Sequence, residues 1–336
     1  MHLPLPYDEH EVDPVVSTGD LPPIDDVIAR VQEAHELYRD LDEGAVADYI
    51  PALAAASPEL FAISIVGVGG GAIEVGDAAV SFSIQSVSKP FVFALIIDEL
   101  GHHEAREKLG VNGTGLPFNS VMAVELNEDR TMNPLVNAGA IATTSLVPGS
   151  TPDEKFGFVL EGLSRFAGRE LHVDEDVYAS ESAANLRNHG IAALLRSYGR
   201  LYFDPELATD VYTRQCSIAV TTHDLAVMGA TLADGGVNPV TGERVIEERH
   251  CKRVLAVLAT AGLYEHSGEW LYEVGLPGKS GVSGGVVTVA PGKGGLGVFS
   301  PPLDGAGNSV RGQLVTKYLS ETLGLNLFAS RPADRR

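Results

Sequence analysis

The chain has 336 residues, 44% hydrophobic and 21% charged, the make-up of a compact fold with about two domains or one large two-part unit. Lys and Arg number 24 against 45 Asp and Glu, a formal net charge of −21, which argues against nucleic acid and anionic membrane as partners. The two cysteines, Cys216 and Cys251, exclude a disulfide scaffold, and the longest uninterrupted apolar stretch, residues 91–97, is far below the ~18 residues of a membrane span.

Residues 1–23 are acidic and broken by proline, with neither the basic start nor the apolar run of an export signal. They read as a flexible arm on a cytoplasmic protein with reduced thiols. Apolar residues at Ile24, Val27, Ile28, Val31, Ala34, Leu37 and Tyr38 predict an amphipathic helix over 24–41, with Asp25 and Asp26 suited to its first turn. From Leu60 the pattern becomes strand-like, over 61–68, 72–75 and 80–84, and a helix is expected over 86–100.

The middle of the chain reads as mostly helical. Helices are expected over 139–147, 152–167, 182–198, 206–215, 222–234 and 245–261. The second opens on Thr151 as cap, Pro152 at the first helical position and Asp153 in the first turn. After Ser267 the spacing suggests strands over 270–274, 281–290 and 295–299, joined by glycine turns, then a last helix over 311–323. Strands at both ends with helices between them predict an α+β unit: an antiparallel sheet flanked by helices, with an inserted helical subdomain. The catalytic domain would span 24–325, its sheet part about 24–100 and 264–325 and the insertion about 101–263, followed by a tail at 326–336.

Gly67-Val68-Gly69-Gly70-Gly71-Ala72 satisfies the G-x-G-x-x-G/A fingerprint after a strand. That fingerprint needs a helix opening at the second glycine, so that its N-terminus meets a pyrophosphate. Here the chain continues Ile73-Glu74-Val75-Gly76-Asp77, a β-like run, and a hairpin turn is expected instead. The ten histidines show no metal-ligand spacing, so neither a metal nor a cofactor is expected.

Ser86-Val87-Ser88-Lys89 is an S-x-x-K where strand gives way to helix, with the serine and lysine three apart on one face. A serine hydroxyl needs a base to take its proton, and a lysine is a base only when its pKa falls from ~10.4 toward ~7–8. Lys279-Ser280-Gly281 lies late in the chain, in the order seen in penicillin-recognising serine enzymes. Burial and the like charge of Lys279 are both expected to depress Lys89. Each motif alone also reads as an ordinary turn with a solvated lysine.

Longer strings carry a resemblance. Asp48 to Ala54, Ser83 to Lys89, Asn133 to Ile141, Ser180-Glu181 with Asn188 seven beyond the acid, and Tyr212 before Gln215-Cys216-Ser217-Ile218 are similar to the serine-dependent glutaminases. So are Gly262-Leu263-Tyr264, Gly275 to Val282, Ser300 to Asp304 and Gly307 to Val310. The resemblance runs from about residue 24 to 325. It implies a fold like that of serine β-lactamases and transpeptidases, and hydrolysis of L-glutamine to L-glutamate and ammonia. It assigns Ser86 as nucleophile, Lys89 as base, Tyr264 as proton relay, and the N–H groups of Ser86 and Val282 as oxyanion donors. Glu181 would hold the α-ammonium, with Asn137, Asn188, Tyr49 and Tyr212 bonding carboxylate or amide. A homo-oligomer, a dimer or tetramer, is implied as well.

Individually, these residues have plainer readings. Glu181 fits a carboxylate at a helix N-terminus, Asn137 a helix cap, Asn133 a turn, and the three tyrosines packing. A β-lactamase or penicillin-binding enzyme remains an alternative, without an S-D-N between the two lysine motifs. A non-catalytic glutamine or glutamate sensor would use the same pocket.

Overall fold

The computed structural model describes residues 22–330; the first 21 residues of the expected arm and the last six of the tail lie outside them. The helices are α1 (Ile24–Tyr38), α2 (Pro51–Ala54), α3 (Ser88–Leu100), α4 (His102–Leu109), α5 (Val121–Leu126), α6 (Asn137–Leu146) and α7 (Pro152–Ala167). They continue with α8 (Glu175–Ala183), α9 (Leu186–Ser197), α10 (Pro205–Cys216), α11 (Thr222–Ala233), α12 (Glu248–Ala261), α13 (Ser267–Glu273) and α14 (Val310–Thr322). The strands are β1 (Ala62–Gly67), β2 (Ala72–Gly76), β3 (Phe82–Ser83), β4 (His172–Val173), β5 (Ile218–Val220), β6 (Gly278–Ser280), β7 (Gly285–Ala290) and β8 (Gly294–Phe299).

Five strands form one antiparallel sheet in the order β2-β1-β8-β7-β6, so the two ends of the chain meet at the β1–β8 pair, Ala62 opposite Phe299. One face is covered by α1 and α14. Val27, Val31, Ala34 and Tyr38, four or so apart, put one stripe of α1 into a core with Ile63, Val298, Leu314 and Tyr318. The other face takes α11, and it does so through glycine. A Cβ on Gly295 would stand 2.2 Å from Ala226 O, and one on Gly297 2.2 Å from Thr222 O. Glycine on β8 therefore lets helix backbone lie directly on strand backbone, and Ser64 Oγ donates across that contact to Thr222 Oγ1 at 2.8 Å.

Beyond α11 lies the helical block, centred on α3. Ten consecutive residues of α3, Ser88 to Ile97, are buried, the pattern of a helix with neighbours on every side. α7 begins with the expected Thr151 cap, which the structure completes as a capping box with Glu154, and ends at Gly168 in the left-handed region.

The expected strand at 80–84 shrinks to β3, which leaves the main sheet for a second one, in the order β3-β5-β4. The expected helix at 182–198 is two helices broken at Ala184-Asn185, where Asn185 Nδ2 reaches across to Thr213 Oγ1 on α10. The strand expected at 270–274 is wrong: these residues belong to α13 and its C-cap. Trp270 and Val274, four apart, are both buried, which is helical spacing, and Trp270 Nε1 donates to Leu276 O at 2.7 Å. The glycine run 67–72 is the hairpin turn between β1 and β2, closed by Gly67 N–H donating to Gly71 O at 2.9 Å. No helix opens there, so the dinucleotide reading has no structural basis.

A methyl group at Gly297 should push α11 off the sheet, an overpacking cost of about 1–3 kcal/mol. Gly297→Ala is expected to lower the melting temperature by several degrees, whereas Gly69→Ala, where a Cβ meets nothing within 4 Å, leaves it unchanged. Thermal unfolding of the two variants beside the parent checks this.

Candidate active site

Ser86 lies in a single 3-10 turn, Gln85–Val87, that opens α3. The residue before it, Gln85, is held at φ +49°, a conformation that side chains other than glycine rarely adopt. Its surroundings hold it there. The Gln85 amide nitrogen donates to Ser83 Oγ at 3.1 Å and to Glu181 Oε1, and its carbonyl accepts from Ser88 Oγ at 2.7 Å. Gln215 Nε2 in turn donates to Ser88 Oγ at 2.9 Å. On the other side the turn meets Gly281, where a Cβ would lie 3.2 to 3.3 Å from Ile84 O, Val87 and Gln85.

One turn along α3, Lys89 is 1% exposed. Its Nζ donates to Asn137 Oδ1 at 2.8 Å and lies about 6 Å from the rings of Tyr212 and Phe118. No carboxylate forms an ion pair with it among the described residues. Burial without a counter-charge disfavours the ammonium and brings the Lys89 pKa down to about 8. Of the two expected causes, burial is the one that acts on Lys89, not the charge of Lys279. Lys279 is itself buried and is pushed well below the usual lysine range, first by burial and then by Lys89. Its Nζ donates to Ser280 O at 2.6 Å and sits 4.0 Å from the Tyr264 ring centre.

Asn137 is the first residue of α6, not its cap, and its side chain is spent on the site. Oδ1 accepts from Lys89 and from the Tyr212 hydroxyl at 3.4 Å, and Nδ2 donates to Asn188 Oδ1 at 3.0 Å. The expected turn at Asn133 precedes it, with Asn133 Oδ1 accepting from Leu135 N–H at 3.0 Å. Gly139 makes the placement possible, since a Cβ there would stand 1.8 Å from Asn133 O.

Glu181 is not at a helix N-terminus but in the last turn of α8, where the helix dipole disfavours a carboxylate. It is half-buried, and that burial raises its pKa to about 7, against the opposing bond from Gln85. A ligand cation at this carboxylate would bring it back down and keep it ionised.

Tyr264, at φ +56°, is buried against Phe118 with ring centres 4.7 Å apart. Its hydroxyl donates to Ser280 O at 3.1 Å, and the neighbouring Ser86 hydroxyl offsets part of the effect of burial on it. Burial pushes this phenol up, so it stays protonated. Val282 belongs to the tight turn between β6 and β7, closed by Gly281 N–H to Gly285 O and Gly284 N–H to Gly281 O, each 2.9 Å. Tyr49 lies at the rim, 56% exposed. A cavity of about 370 Å³ joins Tyr49, Phe118, Asn137, Glu181, Arg187 and Asn188.

The fold joins Lys89, Asn137, Asn188 and Tyr212 by hydrogen bonds and the Ser86 turn to Glu181 through Gln85; Tyr49, Asn137, Glu181 and Asn188 line the cavity, and Tyr264 and Val282 meet beside Gly307. Three neighbours were not expected. Gln85 ties the serine turn to Glu181, Phe118 walls the cavity, and Arg187 lines its mouth while donating to Asn119 O at 3.2 Å. Only Gln85 had a signal, its place immediately before Ser86. Among the described residues no three His, Cys, Asp or Glu side chains converge on a metal-sized site, and no helix is long and apolar enough to cross a membrane.

Comparison with known proteins agrees with this architecture. The family pattern described as glutaminase matches residues 44–328. Glutaminase 2 of Yersinia pestis is 57% identical over 317 residues, which cover 94% of this chain and 93% of that protein. The solved structure of a probable glutaminase superposes with a TM-score of 0.90 at 43% identity, covering 92% of this chain and all of the other. A probable glutaminase from Bacillus subtilis complexed with 6-diazo-5-oxo-L-norleucine gives a TM-score of 0.83 at 30% identity, covering 90% of this chain and 97% of its own.

The buried amine has a thermodynamic signature. The unfolded chain holds the Lys89 proton up to pH ~10.4, the folded protein only up to about 8. Below about pH 8 the folded state therefore carries the full penalty, on the order of 3 kcal/mol, and it is relieved as pH rises toward the unfolded value. Lys89→Met is expected to raise the melting temperature at pH 7 while its advantage shrinks by pH 10. Melting curves across that range measure the effect.

Proposed function

The chain belongs to the glutaminase family and hydrolyses L-glutamine to L-glutamate and ammonia, and we propose that it does so through a γ-glutamyl ester on Ser86. The observation that carries this reading is the buried Lys89 amine, one helical turn from a serine held at a strained turn. The serine β-lactamase-like fold, an antiparallel sheet flanked by helices, supplies the frame.

In the proposed mechanism neutral Lys89 takes the Ser86 hydroxyl proton as Oγ attacks the side-chain amide carbon of glutamine. The carbonyl oxygen becomes an oxyanion facing the N–H groups of Ser86 and Val282. Such donors are each worth about 2.7–4 kcal/mol in other hydrolases. The carbon–nitrogen bond then breaks as the proton held by Lys89 reaches the nitrogen through Tyr264, and ammonia leaves with Lys89 neutral again. Water adds to the ester as Lys89 takes its proton, and the tetrahedral adduct collapses to glutamate as Lys89 returns that proton to Ser86 Oγ.

Free glutamine is a zwitterion, so its pocket must match an ammonium, a carboxylate and a primary amide. Glu181 is the anion available to the ammonium. Asn137, Asn188, Tyr49 and Tyr212 are the hydrogen-bonding groups for the remainder. A pocket built on buried polar groups rejects ligands that leave those groups unpaired, at about 1–3 kcal/mol each. The reading extends to a cytoplasmic homo-oligomer, a dimer or tetramer, which light scattering of the purified protein would test.

Ser86→Ala should reduce ammonia release to background while glutamate still binds; ordinary turnover in that variant would remove the ester. Lys89→Arg should be nearly inactive, because a guanidinium does not give up its proton in proteins. In the parent, kcat/KM should rise with pH through about 8, where Lys89 becomes neutral. It should fall more steeply below about 7, where Glu181 takes up a proton. A profile flat from pH 6 to 9 would contradict both assignments.

A further inference from the structure

Behind the turn that carries Val282, three segments meet. Ser300 N–H donates to Gly284 O at 3.1 Å, and Ser309 Oγ donates to the Ser300 carbonyl at 2.8 Å. Gly307, at φ +93°, faces the active site so closely that a Cβ on it would touch Val282 and Tyr264 at 3.5 and 3.8 Å. Between Gly307 and Ser309 stands Asn308, 0% exposed. Neither Oδ1 nor Nδ2 of Asn308 has a protein partner, and Ser283 Oγ and Ser300 Oγ on the touching segments have none either.

A buried polar group left unpaired loses about 1–3 kcal/mol, and native structures hold very few of them. Here they concentrate beside one catalytic turn. Asn308 has no easy escape, since its own backbone is fixed: its N–H donates to Asp304 Oδ1 at 3.0 Å and its carbonyl accepts from Asp304 N–H at 2.9 Å. Asp304 is anchored further by Ala306 N–H at 2.9 Å and Gln313 Nε2 at 3.0 Å. A carboxamide offers a donor and an acceptor, and the two serine hydroxyls offer either. Internal water, which typically makes two to four hydrogen bonds to otherwise unpaired groups, is the ligand of that chemistry.

We propose that Asn308, with Ser283 and Ser300, binds internal water, and that this hydrated joint fixes the turn presenting the Val282 N–H to the oxyanion. Asn308 is then a positioning residue: it acts through Val282 and touches no substrate. The inference rests on reading Val282 as an oxyanion donor. Oxyanion stabilisation depends on donor placement to within a few tenths of an ångström, so loosening the joint slows chemistry without weakening the hold on the amino acid.

A crystal structure of the parent enzyme at a resolution that shows ordered water tests the binding site without any variant. Water bonded to Asn308 and to at least one of the two serines is expected. An Asn308 amide bonded directly to protein, or a dry site, overturns the proposal. Asn308→Leu tests the consequence: kcat should fall about tenfold or more, while the dissociation constant for L-glutamate changes less than about twofold. Asn308→Ser, which keeps a polar group and leaves space for one more water, should recover part of kcat. An unchanged kcat in Asn308→Leu, or a parallel loss of turnover and glutamate binding without rescue by serine, overturns it. Failure of the underlying reading would show elsewhere, as turnover surviving Ser86→Ala, which would remove the serine adduct whose oxyanion the Val282 N–H faces.

Discussion

A lysine amine sealed from water without a carboxylate is the constraint on which the rest of this protein depends. An ammonium in such a place is costly, and its one close partner, the Asn137 carbonyl oxygen, is neutral. A carboxylate there would have restored the charge and removed the base. The protein instead surrounds Lys89 with a carboxamide, a backbone carbonyl and two aromatic rings. Around that choice the second lysine is explained as well: Lys279 is buried on the same terms and shares the Ser280 carbonyl with Tyr264.

Such a site requires strain that other contacts must hold. Gln85 and Tyr264, both flanking the reactive hydroxyl, are two of three non-glycine residues at positive φ among the described residues, a concentration expected where geometry serves chemistry. Each is over-determined. Gln85 is gripped through both its side chain and its carbonyl, and Tyr264 is anchored by Ser267 Oγ donating to its carbonyl at 2.7 Å. The polar chain from Thr144 through Gln215 and Ser88 to the Gln85 carbonyl joins α6, α10 and α3. The three helices that carry Asn137, Tyr212 and Lys89 are therefore locked to the same turn that carries Ser86.

Close approach of backbone is the third ingredient, and it is made by glycine where no side chain fits. Gly139 lets the Asn133 turn press on α6, Gly262 lets α12 meet Gly278 of β6, and Gly295 and Gly297 seat α11 on the sheet. Each contact fixes the distance between an element of the helical block and the sheet or turn that it must face. The cleft lies along that seam. Its groups are drawn from both sides, which is why no single segment of the chain contains it.

Local physics made much of this legible in advance. Capping residues, apolar spacing and glycine turns were enough for α1, α7, α11, the β1–β2 hairpin and β8, because those signals act over a few residues. The motif strings were enough for the family and for which side chains to watch. What failed was decided by neighbours distant in sequence. Trp270 to Val274 reads like a strand but is helical, with Trp270 and Val274 buried one turn apart and Trp270 Nε1 tied to the Leu276 carbonyl. Residues 80–84 were drawn to β5 rather than to the main sheet. Glu181 looked like a favourable helix-start carboxylate and proved to be a helix-end one, shielded from water and bound to Gln85. The amino-acid order by itself fixed the composition of the site; the cause of the low Lys89 pKa and the unpaired Asn308 amide were set by tertiary packing alone, because burial is a property of everything that surrounds a residue.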